Sequence, residues 1–298
     1  MSVLLFFIDG LGIGARGPLN PLDGLADAAP LAHFHDEEQA IIHDGLLVQT
    51  DACLGVEGRP QSASGQTTIL TGVNAPARLG YHKQGFPNEA LREIITEHSI
   101  FLQLKRKGIA PNTFANAYTR RFFEGQSRWV SATTVAVQAA GDRFRDMEDL
   151  RAGRAIFQDF TNGMLITRGD DVAPRTPEEA AAVLAKLVQS HRFTLYEYFI
   201  TDKMGHLQDM EGAQLVLQNL ARLLRALLDQ LNLASTTVIL TSDHGNIEDL
   251  STRSHTLNPV PTLVWGQHRV RVAQSIRTLA DITPSIVSIL DEKATTRP

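Results

Sequence analysis

Three short apolar runs, each leading to an acidic residue, place the strongest constraint on how this chain can fold. Val3-Leu4-Leu5-Phe6-Phe7-Ile8 ends at Asp9. Phe193-Thr194-Leu195-Tyr196-Glu197-Tyr198-Phe199-Ile200 leads to Asp202. Thr237-Val238-Ile239-Leu240-Thr241-Ser242 ends at Asp243 and His244. Runs of this length, rich in Val, Ile, Leu and aromatic residues, read as buried strands. In an open α/β sheet, ligands bind in the crevice outside the carboxyl ends of the strands, which is where these acidic residues fall.

Helical patterns lie between the runs. Thr176-Pro177-Glu178-Glu179 has capping-box spacing with Pro at the first helical position, and Ala181, Leu184, Leu187 and Val188 follow at helical period. After His206, the residues Val216, Leu220, Leu223, Leu224, Leu227 and Leu231 line one face of a longer amphipathic helix. Asp281-Ile282-Thr283-Pro284 opens a last helix carrying Ile286, Val287 and Leu290. This alternation predicts an α/β fold: a mostly parallel sheet with helices on both faces. Between Thr119 and Pro174 the alternation lapses. Ser131–Gly141 reads as strand or helix and Glu148–Phe160 as helix. The expected organisation is a catalytic core of residues 1–118 and 175–298, with 119–174 as a small cap or lid.

A chain of 298 residues has room for such a core and insertion. Its hydrophobic fraction of 43%, charged fraction of 20% and net charge of −5 suit a soluble globular protein. They argue against a nucleic-acid or membrane-surface partner, either of which calls for a basic face. Cys53 is the one cysteine, so an internal disulfide is excluded and a reducing compartment fits. The first apolar run has no basic residues before it and is cut short at Asp9, a poor signal peptide. No window approaches the roughly 20 apolar residues of a membrane helix. The expected location is cytoplasmic.

The polar residues around the strand ends form the chemical core of the sequence: Asp9, Asp202, His206, Asp243, His244 and, in Ser254-His255-Thr256-Leu257-Asn258-Pro259, His255. Carboxylate oxygen and imidazole nitrogen suit Zn²⁺ or Mn²⁺, and the set is too large for one ion. Two ions about 4 Å apart can clamp the attacking and leaving oxygens of an in-line displacement. Taken singly, these residues have plainer readings. Asp9 reads equally as a helix cap, Asp202 and His206 as a surface pair, and His255 as a loop residue. Gly205 beside His206 points to a tight backbone. Asp243-His244-Gly245-Asn246, directly after a strand, is hard to explain without a site. A second stretch, Arg59 to Gly72, places Ser62, Ala63, Ser64 and Gly65 at the start of a helix-compatible run. A serine there lies near unsatisfied N–H groups and the positive dipole end, which favour phosphate, although a simple N-cap has the same appearance. His82 and Lys83 follow in a loop and read equally as phosphate contacts or solvated side chains.

In this order and spacing, the Asp9, Ser62, Asp202-x-x-x-His206, Asp243-His244-Gly and His255-Thr-x-Asn-Pro-Val-Pro motifs resemble those of the alkaline phosphatase superfamily. The branch they resemble is that of cofactor-independent phosphoglycerate mutase and phosphopentomutase. The resemblance implies one metal on Asp9, Ser62, Asp243 and His244, and another on Asp202, His206 and His255. It also implies two divalent ions (Mn or Zn), Ser62 as the nucleophile that accepts the phosphoryl group, and a small phosphorylated substrate. The interval from Ser62 to Thr71-Gly72 is similar to that of related phosphodiesterases, whereas Ser64 breaks it. Gln61-Ser62-Ala63-Ser64-Gly65-Gln66 stands where the mutases carry Asn-Ser-Glu-Val-Gly-His, and the space for an inserted domain is much smaller than theirs.

The expected activity is therefore hydrolysis of a phosphate ester through phosphoserine. The alternatives are an intramolecular phosphomutase, in which a homodimer partner could complete the lid, and a non-catalytic metal-binding homologue. Arg120, Arg121 and Arg128 are available in 119–174 to meet an anionic substrate. Cys53 lacks the Cys-x-Pro-x-Arg setting of sulfatases. Gly10, Gly12 and Gly14 do not complete a dinucleotide-binding fingerprint.

Overall fold

The computed structural model describes residues 1–26, 28, 30–35, 41–125 and 129–292. Its centre is one six-stranded sheet: β1 (Ser2–Ile8), β2 (Leu46–Thr50), β3 (Asn112–Phe114), β4 (Phe193–Tyr198), β5 (Thr236–Ser242) and β6 (Val260–Gly266), in spatial order β2-β6-β5-β1-β4-β3. β1 pairs in parallel with both β4 and β5, and β3 with β4. β6 runs antiparallel to both β5 and β2. The sheet is thus mostly parallel, as expected, and its single reversed strand lies next to β5.

The period of two along β1 separates the hydrophobic core into two layers. Leu4, Phe6 and Ile8 face one side, where they pack with Tyr196, Val238, Leu240 and Trp265; Val3, Leu5 and Phe7 face the other, with Phe193, Leu195, Ile239 and Val264. The helices include α1 (Ser62–Thr71), α2 (Glu89–His98), α3 (Ile100–Arg106), α4 (Ala132–Ala140), α5 (Pro177–Ser190), α6 (Ile200–Leu207), α7 (Met210–Gln230) and α8 (Ile282–Leu290). The first layer is covered by α5 and α7; α1, α2, α3, α4 and α8 cover the second. In α5 the Thr176 hydroxyl accepts from the Glu179 amide, and the Glu179 carboxylate accepts from the Thr176 amide. α7 buries Leu217, Leu220, Leu223, Leu224 and Leu227 in one stripe. Because strands and helices shield each other on both faces, a Leu→Ala change in β1 costs about 2–5 kcal/mol.

The segment 119–174 contains two kinds of packing. Ser131 caps α4, whose Ala132, Val135, Ala136 and Val137 belong to the second layer of the main core. Ala117, Leu150, Ala155, Phe157 and Leu165 form a small cluster of their own. The helix expected over Glu148–Phe160 is confined to Met147–Arg151. Asp146 and Asp149 form a capping box at its start, and Gly153 takes a left-handed φ of 67° just beyond its end, turning the chain into an irregular stretch. No helix among the described residues is long and apolar enough to cross a membrane.

Candidate metal centre

The carboxyl ends of β1, β4 and β5 deliver Asp9, α6 and the Asp243-His244 pair to a common point. α1 and the loop before β6 complete it with Ser62 and His255. The close approach of α6 depends on Gly10. Its φ is +73°, and a Cβ there would lie 2.8 Å from the Asp202 Cα. Gly205 plays a similar part, since a Cβ would stand 2.5 Å from Asn246 Oδ1. The tight backbone expected at Gly205 is therefore packing against the loop after β5.

Seven of the expected side chains join through short distances. Nε2 of His244 lies 3.0 Å from Ser62 Oγ, 3.3 Å from Asp9 Oδ1 and 3.5 Å from Asp243 Oδ2. Asp202 reaches His206 Nε2 at 3.3 Å through Oδ2 and His255 Nε2 at 3.5 Å through Oδ1. The rings of His244 and His255 stack at 3.6 Å and link the two groups. Among the described residues, two triads have ligand atoms close enough to hold an ion: Asp9, Asp243 and His244, and Asp202, His244 and His255. His206 Nε2 lies 3.3 Å from His255 Nε2, at the edge of the second group.

The hydrogen bonds of the histidines test whether the site suits a cation. Nδ1 of His206, His244 and His255 faces the carbonyl of Arg253 (2.6 Å), Gly245 (3.4 Å) and Pro60 (2.9 Å), respectively. Since a carbonyl can only accept, each Nδ1 carries a proton, so that in the neutral ring Nε2 presents its lone pair inward, the tautomer of a metal ligand. Among the described residues, Asp9 Oδ1 is buried and makes no hydrogen bond, although His244 Nε2 stands near it. Gln66 Nε2 donates to both Asp9 Oδ2 (3.1 Å) and Asp243 Oδ2 (3.2 Å). A neutral amide holds these two carboxylates together without balancing their charge.

The protonation equilibria follow from the same crowding. Burial raises the pKa of Asp9, and burial with Asp9 alongside raises Asp243 well above the carboxylate range. Burial works against the charged form of His244, but Asp243 and Asp9 outweigh it and hold the imidazole up to about 10. Asp202, despite burial, is pulled down to about 2 by His255 and His244. The pocket thus stabilises positive charge, and its donors fit a divalent cation of borderline hardness.

The remaining predicted residues are more scattered. The Ser64 hydroxyl, fully buried, donates to Gln61 O and accepts from the Lys83 amide. Lys83 Nζ donates to Gln84 O, and His82 Nε2 lies against Val56 O. Arg120 is paired with Glu124 at the surface. Arg121 lines a cavity of about 620 Å³ that opens onto Ser62, Asp9 and Asp202. Arg128 lies outside the described residues.

Four residues of the site were not singled out from sequence. Besides Gln66, Asn246 donates from Nδ2 to Oδ1 (2.6 Å) and the carbonyl (3.1 Å) of Asp202. The buried carboxylate of Glu248 accepts from the amides of Gly12 (2.8 Å) and Asn246 (2.7 Å), from Thr256 Oγ1 (2.5 Å) and from Asn258 Nδ2 (3.0 Å), joining three motif-bearing loops. Glu197 lines the cavity, and burial with Asp9 nearby lifts it to about 7. Its one visible signal was a charge inside an otherwise apolar run.

The fold and site define a class, that of α/β proteins with clustered carboxylates and imidazoles at the strand ends that could hold metal ions. Residues 166–294 match the family model described as Metalloenzyme superfamily. The fold is shared with a Pyrococcus horikoshii protein, 15% identical over 100% of this chain and 98% of that one at a TM-score of 0.54. It is shared too with a cold-active alkaline phosphatase from a psychrophilic Shewanella, 12% identical over 97% and 100% at 0.54. In sequence, the chain is 33% identical over 132 residues to the 2,3-bisphosphoglycerate-independent phosphoglycerate mutase of Gloeothece citriformis, 40% of this chain and 24% of the mutase. The Ehrlichia canis mutase is 25% identical over 39% of this chain and 26% of its own length. The matched segment thus spans about a quarter of these relatives. Over residues 166–294 the chain is thus similar to the Metalloenzyme superfamily, over a segment of 132 residues to cofactor-independent phosphoglycerate mutases, and in fold to an alkaline phosphatase.

Proposed function

We propose that the protein hydrolyses a phosphate ester, with Ser62 as the nucleophile and two divalent ions, Mn²⁺ or Zn²⁺, as cofactors. The observation that carries this reading is the position of Ser62 Oγ, at the first residue of α1 and 3.0 Å from His244 Nε2, open to the cavity. Ser64, its neighbour, has its hydroxyl engaged on the backbone. Asp9, Asp243 and His244, with Ser62, would hold one ion, and Asp202, His206 and His255 the other. Bound there, the ions would favour the serine alkoxide and neutralise charge on the leaving oxygen.

The chain's own groups supply the rest. The N-terminus of α1 directs the amides of Ser62 and Ala63 and the positive dipole end towards the incoming phosphoryl group. Gln66 keeps Asp9 and Asp243 at a fixed separation, and Asn246 fixes Asp202. Ser62 Oγ forms a bond to phosphorus as the bond to the alcohol oxygen breaks, and the alcohol leaves with a proton. Water then cleaves the phosphoserine, releasing phosphate and restoring the hydroxyl.

Hydrolysis is favoured over mutase chemistry by two features. Ala63 and Gln66 replace the mutase-type Glu and His, and the segment 119–174, part of which is built into the core, leaves little to seal the site from water. The likeness to phosphoglycerate mutases keeps isomerisation as the second reading. Supplying phosphoglycerates and pentose phosphates with Mn²⁺ or Zn²⁺, and following free phosphate and positional isomers together, decides between them. Phosphate release supports hydrolysis; isomer exchange with negligible release establishes the mutase.

A further inference from the structure

The cavity beside Ser62 is larger and more aromatic than a three-carbon phosphate requires. Its volume of about 620 Å³ lies within the range that holds drug-sized ligands. Phe114 and Phe157 are almost fully buried and form part of its wall, with Tyr118 and Phe122 beside them at a ring separation of 4.1 Å. Core packing accounts for the buried rings. It does not account for Phe86 and Trp129, which also line the cavity but remain 43% and 58% exposed. Phe86 comes from the loop just before α2 and Trp129 from just before α4. Their rings lie nearly parallel, 15° apart in plane with centroids at 5.6 Å.

Two large rings held parallel in water at a cavity mouth offer a stacking surface to another planar group. Arg121, Arg168 and Lys203 also line the cavity and add positive charge. We infer that this cavity is a substrate subsite for a phosphate ester whose alcohol carries a planar ring system of nucleobase size. The phosphoryl group would lie at Ser62 and the ring would stack against Phe86 and Trp129. The inference rests on the phosphoryl-transfer reading for the orientation of the ester, while recognition of the ring stands on the cavity itself.

The test is calorimetric titration of the Ser62→Ala protein, saturated with Mn²⁺, with AMP, p-nitrophenyl phosphate and ribose 5-phosphate. Stacking of one ring is worth about 1–3 kcal/mol, so at least one ring-bearing ester is expected to bind roughly tenfold or more tightly than ribose 5-phosphate. Adding Phe86→Ala or Trp129→Ala is expected to erase that preference; both sites are exposed, and circular dichroism confirms that the variants fold. Ribose 5-phosphate binding as tightly as the better ring-bearing ester, a preference unaffected by both substitutions, or no binding of any of the three would overturn the inference. Wild-type phosphate release from the same esters separates this inference from the reading it rests on. A ring preference without any release sinks phosphoryl transfer alone, whereas release with equal affinities sinks only the subsite.

Discussion

Asn246 donates a 2.6 Å hydrogen bond from Nδ2 to Oδ1 of Asp202, tying the loop after β5 to the helix after β4 across 44 residues of sequence. The bond selects one orientation of the Asp202 carboxylate and leaves Oδ2 for His206. Partners that orient a ligand in this way typically account for 10–100-fold in metal affinity. Asn246→Ala is therefore expected to weaken binding of one of two Mn²⁺ equivalents by about that factor and leave the other nearly unchanged. Calorimetric titration of the chelator-treated protein measures both. Equal weakening of the two would show that the two sets are not independently held.

Glu248 is expected to act on stability. Its carboxylate satisfies donors from Gly12, Asn246, Thr256 and Asn258 in a fully enclosed setting. Glu248→Ala would leave two backbone amides buried without acceptors, costing about 3 kcal/mol or more. Urea unfolding of the variant should show a lower midpoint with an unchanged slope. An unaltered midpoint would mean that water takes over the carboxylate's bonds.

Glu197 provides a pH-dependent signature. Its pKa in the folded protein is raised to about 7 from an ordinary 4.5, first by burial and then by Asp9. A carboxyl whose folded pKa lies above its unfolded value stabilises the fold below the unfolded value. That contribution is lost as pH rises through the folded value, here between about 4.5 and 7. In chelator-treated protein, Glu197→Gln should therefore gain stability over the wild type on going from pH 5 to pH 8, by about 2 kcal/mol once solvent in the open cavity is allowed for. Parallel pH profiles for the two proteins would remove Glu197 from the titration.

The sequence disclosed the site better than it disclosed the sheet. β1, β4 and β5 were legible because nearly every position along them is buried, each carries a run of large apolar residues, and the candidate ligand motifs stand directly at their ends. β6 escaped notice because Pro261 interrupts it. The structure tolerates this proline because the β5 pairing covers only Leu263–Gly266, leaving Pro261 opposite Gln49 of β2. β2, at the edge and half-exposed, has no continuous apolar run, and β3 is only three residues long. Gln66, Asn246 and Glu248 carried no local signal, since their partners are distant in sequence: 177 residues from Gln66 to Asp243 and 236 from Gly12 to Glu248. Only the folded chain shows why an amide or a carboxylate is needed there.

Metal removal should destabilise the fold as well as abolish activity. Asp9 and Asp243 are buried side by side, and no positive side chain other than His244 is seen in contact with both among the described residues. Chelation is expected to lower the melting temperature, and Mn²⁺ or Zn²⁺ to restore it, with a gain that grows with free metal concentration. Elemental analysis of the reloaded protein should give two ions per chain. A melting temperature indifferent to both treatments would contradict the assignment of this cluster to metal.

The central claim is that Ser62 receives the phosphoryl group, and trapping that adduct tests it most directly. Enzyme loaded with Mn²⁺ or Zn²⁺ is mixed with p-nitrophenyl phosphate, quenched in acid within the first turnovers, digested and sequenced by mass spectrometry. Phosphoserine is expected in the peptide holding Ser62, on Ser62 itself. The Ser62→Ala protein is expected to give no adduct and no turnover while keeping most of its metal. Phosphate on Ser64, or full activity in Ser62→Ala, would contradict the account.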